Sequence, residues 1–571
     1  MPSPSLKLSP HQLSSAAVST APITSPAGQK SAPSKMATSL TLAAMSLGYG
    51  VVQLDVTIVN TALNSIGSSL GSGISELQWV VSAYTIAFAA FILTAGALGD
   101  RIGAKRIFIA GFAIFTAASV GCALSPNAVS LIAARAVQGL GAAILVPNSL
   151  TLLSHAYPDD RARGRAVGIW AAGASLALTA GPLVGGGLIA LVGWRSIFLV
   201  NLPIGLAGLW LSWRYASETT RSQQRELDLP GQFAAMAALG ALAGAIIEGG
   251  SLGWSNPWVI AGFATSAVLA VLFVLQERRA PQPMLPLSLF RHRMFALTSL
   301  VGLLVNVAFY GLIFILSLYF QRVNQWSAFA TGLAFVPMMG SVLPVNLLAP
   351  RVAERIGAPA TIALGAALAA FGCLALLGIG QGTSYVAICA QLVIIGGGLG
   401  LLVPPLTSTL LGSVEKSRSG IAAGVLNATR QTGSVLGVAL FGSLAGQVNA
   451  LLPGAHASLL ISAALLLAGG GVGRLASSVA VTDRAQMQGV LQEEGVPRKQ
   501  GVLRKVSSVL AQRKMRAAKC HRRAQAQRGE ACQHARNGRN RARRRGGLTG
   551  ADQHEHADPD QELSHPLRDL P

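Results

Sequence analysis

The chain has 571 residues, 51% of them hydrophobic and 12% charged, with a formal net charge of +22. A soluble globular chain carries about 25% charged residues, so the composition excludes an ordinary soluble fold. Apolar stretches of about twenty residues, the length that crosses a bilayer, recur from Ala37 to Leu475; they are too continuous for a β-barrel, whose strands alternate apolar and polar residues.

Residues 1 to 36 are rich in Ser, Pro and Ala and contain no aromatic residue, which reads as a disordered arm. No basic-then-apolar signal with a cleavage site opens the chain, so the first span is expected to serve as its own insertion signal. Fourteen spans follow, at 38–62, 78–98, 107–124, 129–153, 166–190, 196–213, 231–249, 257–275, 295–319, 330–349, 359–379, 385–411, 421–446 and 456–473. The expected fold class is therefore an all-α polytopic membrane protein. The 64 glycines and 27 prolines, many inside these stretches, suit helices that pack closely or break locally.

An even number of spans puts both termini on one side, and cytoplasmic loops collect Lys and Arg. Of the 44 basic residues, 40 fall in the terminal arms and the loops after even-numbered spans, while the opposite loops hold only Arg195 and Arg322. Arg135 and Arg430 lie within spans. A wrong span count would scramble this asymmetry. The expected location is the cytoplasmic membrane, multi-pass, with both termini cytoplasmic.

Residues 476 to 571 hold 19 basic and 10 acidic residues without sustained apolar periodicity. Three readings stand: a disordered arm that touches anionic lipid or nucleic acid, a solvated tail with no partner, or an altered reading frame. No specific nucleic-acid partner is expected. Cys122, Cys373 and Cys389 lie in apolar stretches and read as small packing residues. Cys520-His521 and Cys532-Gln533-His534 match no trusted zinc spacing, so no metal site is expected.

Ionisable residues inside spans are costly and default to functional candidates. There are four: Asp55, Arg135, Glu248 and Arg430. At about 1.5 Å per residue, Asp55 in span 1 and Arg135 in span 4 both lie roughly 10 Å inside the outer boundary. A pair or relay between them is geometrically possible. It would either couple protonation to conformation or tie two helices together; the coupling role is favoured, because intramembrane charge is rarely kept for stability alone. Arg430, in Asn427-Ala428-Thr429-Arg430-Gln431-Thr432-Gly433, sits near mid-membrane, where it must face a polar cavity or partner. Asn60, Gln138, Asn148 and Gln431 join Arg430 as candidates for the transport path, although helix–helix hydrogen bonding is the commoner use of such side chains. Glu248, beside Gly249-Gly250, can reach the interface.

Several motifs carry a resemblance. Gly96-Ala97-Leu98-Gly99-Asp100-Arg101-Ile102-Gly103-Ala104-Lys105-Arg106, between spans 2 and 3, resembles the signature loop of the major facilitator superfamily, with Gly96, Gly99, Asp100, Arg101, Gly103, Lys105 and Arg106 as the gating residues. Leu131-Ile132-Ala133-Ala134-Arg135-Ala136-Val137-Gln138-Gly139 resembles the fourth-span motif linked there to proton coupling. Gly181-Pro182-Leu183-Val184-Gly185-Gly186 resembles the fifth-span antiporter motif, with Gly181, Pro182, Gly185 and Gly186 at its defining positions. Leu54-Asp55-Val56-Thr57-Ile58-Val59-Asn60-Thr61-Ala62-Leu63 and Trp194-Arg195-Ser196-Ile197-Phe198-Leu199-Val200-Asn201-Leu202-Pro203 are similar to signatures of the fourteen-span drug:proton antiporters. That family usually has Pro after the first of these; this chain has Asn64.

The resemblance covers residues 40 to 475. It implies the major facilitator fold, with an N-terminal six-helix half at 38–215, two inserted helices and linkers at 216–294, and a C-terminal six-helix half at 295–475, flanked by the arm at 1–37 and the tail at 476–571. Ala349-Pro350-Arg351-Val352-Ala353-Glu354-Arg355-Ile356-Gly357 is a degraded second-half copy of the signature loop, in which the Asp is not retained. The resemblance implies a secondary transporter that exports small amphipathic molecules, such as drugs or antibiotics, by proton antiport and alternating access. Its partners would be the small-molecule substrate, protons and the lipid bilayer, with the proton gradient as energy source and no cofactor. The competing reading is an importer or uniporter of a small metabolite on the same fold. No Gly-x-x-x-x-Gly-Lys-Ser/Thr phosphate loop occurs, which argues against ATP hydrolysis within the chain, and the spans lack the clustered groups of an enzyme. The second half has no acidic residue in a span, so the substrate is expected to be neutral, weakly acidic or monocationic. Nothing in the sequence fixes an oligomeric state.

Overall fold

The computed structural model describes residues 35–219, 228–414, 419–445 and 451–493. The first helices are α1 (Lys35–Leu70), α2 (Ile74–Ile102), α3 (Ala104–Leu124), α4 (Ala128–Ala156), α5 (Asp160–Val192), α6 (Ser196–Leu199) and α7 (Asn201–Tyr215). They are followed by α8 (Leu229–Leu252), α9 (Pro257–Arg279), α10 (Arg293–Leu318), α11 (Ala328–Ile356), α12 (Ala358–Ala375), α13 (Tyr385–Gly412), α14 (Ser419–Leu444) and α15 (Leu451–Glu493). No strand occurs among the described residues. A division falls between Asp483 and Arg484, and the bundle is described up to that point.

Each of the fourteen expected spans falls on a helix. Thirteen helical runs among the described residues are long and apolar enough to cross a membrane, with α6 and α7 counted as one. The remaining one is α14, whose middle is occupied by Asn427, Thr429, Arg430, Gln431 and Thr432. The helices overrun the apolar stretches because polar residues at the span edges close their ends. Asn127 and Ser130 cap the start of α4 reciprocally, and Asp159, Asp228, Asn256 and Ser327 each accept from a first-turn N–H of α5, α8, α9 and α11. These caps satisfy donors that a helix start leaves unpaired.

Two differences from the sequence reading have physical causes. Span 6 is interrupted at Val200, ahead of Asn201-Leu202-Pro203; Pro203 has no N–H to continue the ladder. The last helix, α15, extends past Arg474, beyond the expected span at 456–473. A helix already nucleated by the apolar span is readily extended by further residues. The arm before Lys35, the tail beyond Glu493 and the basic residues Arg221, Arg225, Lys416 and Arg418 lie outside the described residues.

Packing divides the bundle into two groups. In the first, α1 packs on α4, α5 and α7, α2 on α4, and α3 on α4 and α7. In the second, α10 packs on α14, and α13 on α11 and α12. The groups meet where α2 lies along α14, α5 along α11 and α1 against α10. The pair α8 and α9 belongs to neither: α8 lies on both α2 and α14, along their seam.

The turn between α2 and α3 is the single residue Gly103, at φ +116, a conformation that suits a residue without Cβ. The same turn recurs between α11 and α12 at Gly357, at φ +87. Around them Arg101-Ile102-Gly103-Ala104 and Arg355-Ile356-Gly357-Ala358 match residue for residue, so Glu354 occupies the step of Asp100. The Asp is replaced, yet the acidic charge remains. At the first turn Glu218 Oε1 accepts from Lys105 N at 3.0 Å and Thr219 Oγ1 accepts from Ala104 N at 3.0 Å. Arg106 Nε lies 3.8 Å from Glu218 Oε2. The segment after α7 thus closes the start of α3, where a carboxylate also meets the positive end of the helix dipole.

Close helix contact in a bilayer depends on small residues. A Cβ at Gly141 of α4 would stand 2.7 Å from the backbone nitrogen of Phe115 in α3, whereas one at Gly240 of α8 would meet nothing within 4 Å. Gly141→Ala is therefore expected to destabilise the protein by roughly 1–3 kcal/mol, the usual cost of overpacking, and Gly240→Ala to be neutral or slightly stabilising. Thermal unfolding of the detergent-solubilised protein checks this; equal midpoints for the two variants would refute the α3–α4 contact.

Candidate functional site

Asp55 lies on α1, a helix so enclosed that Gln53, Asp55, Thr57, Asn60 and Thr61 are all buried. Its carboxylate points into the first helix group. Arg135 Nη1, from α4, donates to Asp55 Oδ2 at 2.5 Å. Gln138, one turn along α4, donates from Nε2 to Asp55 Oδ1 at 2.9 Å, and its Oε1 accepts from Arg135 at 2.6 Å. Asn201 at the start of α7 donates to the same Oδ1 at 3.1 Å. Ser119 of α3 accepts from both Gln138 (2.8 Å) and Asn201 (3.3 Å). Arg135 also donates from Nε to the carbonyl of Val80 in α2 at 3.1 Å, and its Cζ lies 4.2 Å from the ring centre of Tyr84. Asp55 is 0% exposed and Arg135 1%.

Four helices thus close around one ion pair, and a fifth contributes a carbonyl and an aromatic face. The pair is neutral as a whole. Both carboxylate oxygens are occupied, and the guanidinium is held by acid, amide, carbonyl and ring, as a charge at this depth requires. Sequence spacing foresaw the shared depth of Asp55 and Arg135. It did not single out Asn201, although its place just before Leu202-Pro203 in an apolar run was a readable signal. Ser119 and Tyr84 offered none, because such residues are ordinary in spans.

Arg430 has a different setting. Among the described residues no carboxylate lies within ion-pair distance of it. Tyr49 on α1 and Tyr310 on α10 are its electrostatic neighbours. Tyr310 is buried, but Arg430 and Tyr49 remain partly accessible. Trp170 of α5 stacks on Tyr49, with ring centres 4.3 Å apart, and its indole N–H donates to Ser149 of α4 at 3.1 Å. Asn306 and Asn427 are also partly accessible, each donating to the carbonyl four residues back in its own helix. The stack and the indole bond thus link α1, α5 and α4 within the first group. Tyr49, Trp170 and Tyr310 carried no signal in the sequence.

The other path candidates are buried at helix contacts. Asn148 donates to the carbonyls of Ala95 (3.1 Å) and Ile144 (2.8 Å), which pins α4 to α2 beside Gly99. Asn60 donates to Val56 O, while its own carbonyl accepts from Ser317 of α10 at 2.5 Å. Gln431 is 4% exposed. Gln138 belongs to the Asp55 network. Glu248 accepts from Ser75 (2.9 Å) and Ser251 (3.1 Å), tying α8 to the start of α2.

The loop and antiporter motifs also find positions. Gly99 packs on Asn148 and Gly96 near Pro147, while Arg101 and Arg106 are exposed. Gly181 and Gly185 bring α5 against Thr57, Ile58 and Thr61 of α1, and Gly186 brings it within 2.6 Å of the Ala328 carbonyl in α11, measured from a Cβ placed there. Pro182 has its carbonyl against Gly332 of α11. At this end Asn64 accepts from Arg322 Nε at 3.3 Å. The residue that departs from the family signature thereby joins α1 to the end of the α10 run. Among the described residues no group of three or more His, Cys, Asp or Glu could hold a metal ion; Cys520 and Cys532 lie outside them.

Comparison with known proteins agrees with this architecture. The profile of the Major Facilitator Superfamily matches residues 45–438. A methylenomycin A resistance protein of Streptomyces coelicolor is 36% identical over 429 residues, covering 75% of this chain and 90% of the relative. One of Bacillus subtilis is 38% identical, covering 70% and 86%, and the multidrug resistance protein Stp of Mycobacterium tuberculosis is 39% identical, covering 71% and 75%. Among solved structures, a bacterial homologue of the human drug peptide transporters PepT1 and PepT2 superposes with a TM-score of 0.54 at 18% identity, over 79% of this chain and 99% of the other. The human organic anion transporter MFSD10 does so with 0.53 at 16%, over 76% and 99%; at such identities both speak for the fold alone. The chain is a multi-pass membrane protein, not an enzyme, and it belongs to the major facilitator superfamily.

Proposed function

We propose that the protein exports small amphipathic molecules of the drug or antibiotic class across the cytoplasmic membrane by proton antiport and alternating access, with both termini in the cytoplasm. The observation that carries this reading is the enclosed Asp55–Arg135 pair, set between helices of a transporter bundle. The names of the resistance proteins it resembles support the class of substrate and the direction. The basic asymmetry of the loops supports the orientation.

In the state described, Asp55 bridges α1 to α4 and α7. A proton delivered to its carboxylate would remove the charge that holds Arg135 and leave the guanidinium to its amide, carbonyl and ring partners. The ionic tie between α1 and α4 would then be lost. Movement of α1 relative to α4 would do the converse and expose the carboxylate for protonation. Either event would link a proton to the position of α1. At the other end of the helix, the bonds of Asn60 to Ser317 and Asn64 to Arg322 would have to break for the two groups to part there.

Three measurements test the reading. Dissipating the proton gradient with a protonophore is expected to make a fluorescent drug substrate accumulate in cells that express the protein; unchanged efflux would rule out antiport and favour a uniporter. Asp55→Asn is expected to reduce coupled export to the level of cells lacking the protein while leaving membrane insertion intact, and undiminished export would make Asp55 structural. Asn201→Ala removes one donor from a buried carboxylate, a loss of about 1–3 kcal/mol. Coupled export is expected to fall by about tenfold or more, read as drug-driven proton flux in proteoliposomes.

A further inference from the structure

Helices α8 and α9 stand outside the two groups, and their attachments are unequal. Helix α8 lies along the seam between α2 and α14. To α2 it is tied toward both of its ends. Ser75, in the first turn of α2, donates to Glu248 Oε1 at 2.9 Å, and Thr94, further along α2, donates to Gln232 Oε1. Gln232 is fully buried. The Thr94 hydroxyl also lies 3.4 Å from the sulfur of Met284, in the segment after α9. The segment that leads toward α8 begins on the first group, where Glu218 and Thr219 close the start of α3. Helix α9 is fastened to α8: Ser266 donates to the Ala238 carbonyl at 2.9 Å, and Gln276 to Asp228 Oδ1 at 3.1 Å.

Against α14 the contact is smooth. Ala243 of α8 joins Val435 of α14 and Ile86 of α2 in one buried apolar cluster. Gly250 lies on the α14 backbone, where a Cβ would stand 2.6 Å from the Cα of Ser443. Asn427, Thr429 and Ser443 of α14 donate to carbonyls of their own helix. Among the described residues no side-chain hydrogen bond or ion pair joins α8 to α14. A polar tie broken within a bilayer leaves groups that lipid cannot satisfy, whereas small apolar faces can shift past one another without that cost. The chain then leaves α9 for the second group between Met284, held at Thr94, and Leu289, buried with Phe295, Leu410 and Ala422. Helix α2 itself grips α14 through Gln78, which donates to the carbonyls of Val438 (3.1 Å) and Ala439 (2.8 Å).

We propose that α8 and α9 travel with the first helix group as a strap fastened to α2, and that α14 slides along α8 when the two groups part. Gln78 then releases the two α14 carbonyls, the strap keeps the α2–α14 seam covered, and residues 285–288 take up the displacement between the groups. The proposal rests on the alternating-access part of the reading above, and on neither its substrate nor its direction.

Three distances at one end of the bundle test it. The full chain, with its five native cysteines replaced by alanine, carries spin labels in pairs at exposed positions: Ser69 of α1, Leu252 of α8 and Gln381 between α12 and α13. Double electron–electron resonance in nanodiscs reads each pair at about pH 8 and about pH 5, a range that spans carboxylate titration, and again in Asp55→Asn. The Ser69–Gln381 and Leu252–Gln381 distances are expected to shift together between conditions, by about 5 Å, on the order of one helix turn, while Ser69–Leu252 holds. In the double variant Ser75→Ala with Thr94→Val, checked for a single symmetric peak in size-exclusion chromatography, the Ser69–Leu252 distribution is expected to broaden. A Leu252–Gln381 distance that holds while Ser69–Gln381 shifts would put the strap on the second group and overturn the proposal. Three distances that change independently, or an unbroadened Ser69–Leu252 distribution in the folded double variant, would overturn it as well. Each of these outcomes leaves alternating access standing. A Ser69–Gln381 distance fixed under every condition defeats alternating access itself, and the sliding with it.

Discussion

A bilayer offers no hydrogen-bond partner to a side chain, so a charge placed inside it must be satisfied by the protein. The pair of Asp55 and Arg135 meets this constraint by gathering α1, α3, α4 and α7 around itself, with α2 lending the Val80 carbonyl and the Tyr84 ring. Removing one member of such a pair leaves the other buried and uncompensated, typically at about 3–5 kcal/mol. The network therefore contributes to the integrity of the first group, and in the antiport proposed above it is the element on which a proton would act. Gln138 and Asn201 both donate to Oδ1 of the carboxylate, while Arg135 holds Oδ2.

The two intramembrane arginines have opposite circumstances. Arg135 is fully enclosed and has an acid, while Arg430 is partly accessible and has no carboxylate within ion-pair distance among the described residues. Helix α1 presents Asp55 to α4 and α7 and stacks Tyr49 on Trp170 of α5. A rotation or tilt of α1 would be felt at both places, because close-packed helices shift as units. The glycines of α5 that seat against Thr57, Ile58 and Thr61 hold α1 from the remaining side.

Repetition shapes the rest. The turns at Gly103 and Gly357 connect consecutive helices through a single residue in equivalent places of the two groups. In the first, Glu218 and Thr219 close the start of α3. Helices α8 and α9 stand outside the repeat, with α8 along the α2–α14 seam, tied to the start of α2 through Glu248 and Ser75.

Span number and the helical class were legible in the sequence, because apolar run length is a one-dimensional property and the bilayer fixes the length required. The resemblance of the motifs around Asp55, Arg135, Gly103 and Gly181 to a known superfamily was legible for the same local reason. The break at Val200 was within reach, since Pro203 marks it. The partners were decided only by tertiary structure. Gln138, Asn148 and Asn60 look alike as polar residues in apolar runs, yet one joins the ion pair, one pins α4 to α2, and one receives a bond from α10. Asn201 meets Asp55 from 146 positions away. Composition and periodicity set how far each residue lies along a span, but the face it turns to and the helix it meets follow from how the spans pack. The sequence by itself therefore determined the apolar runs long enough to span a bilayer and which charges must be satisfied there; the packing decided which residues satisfy them.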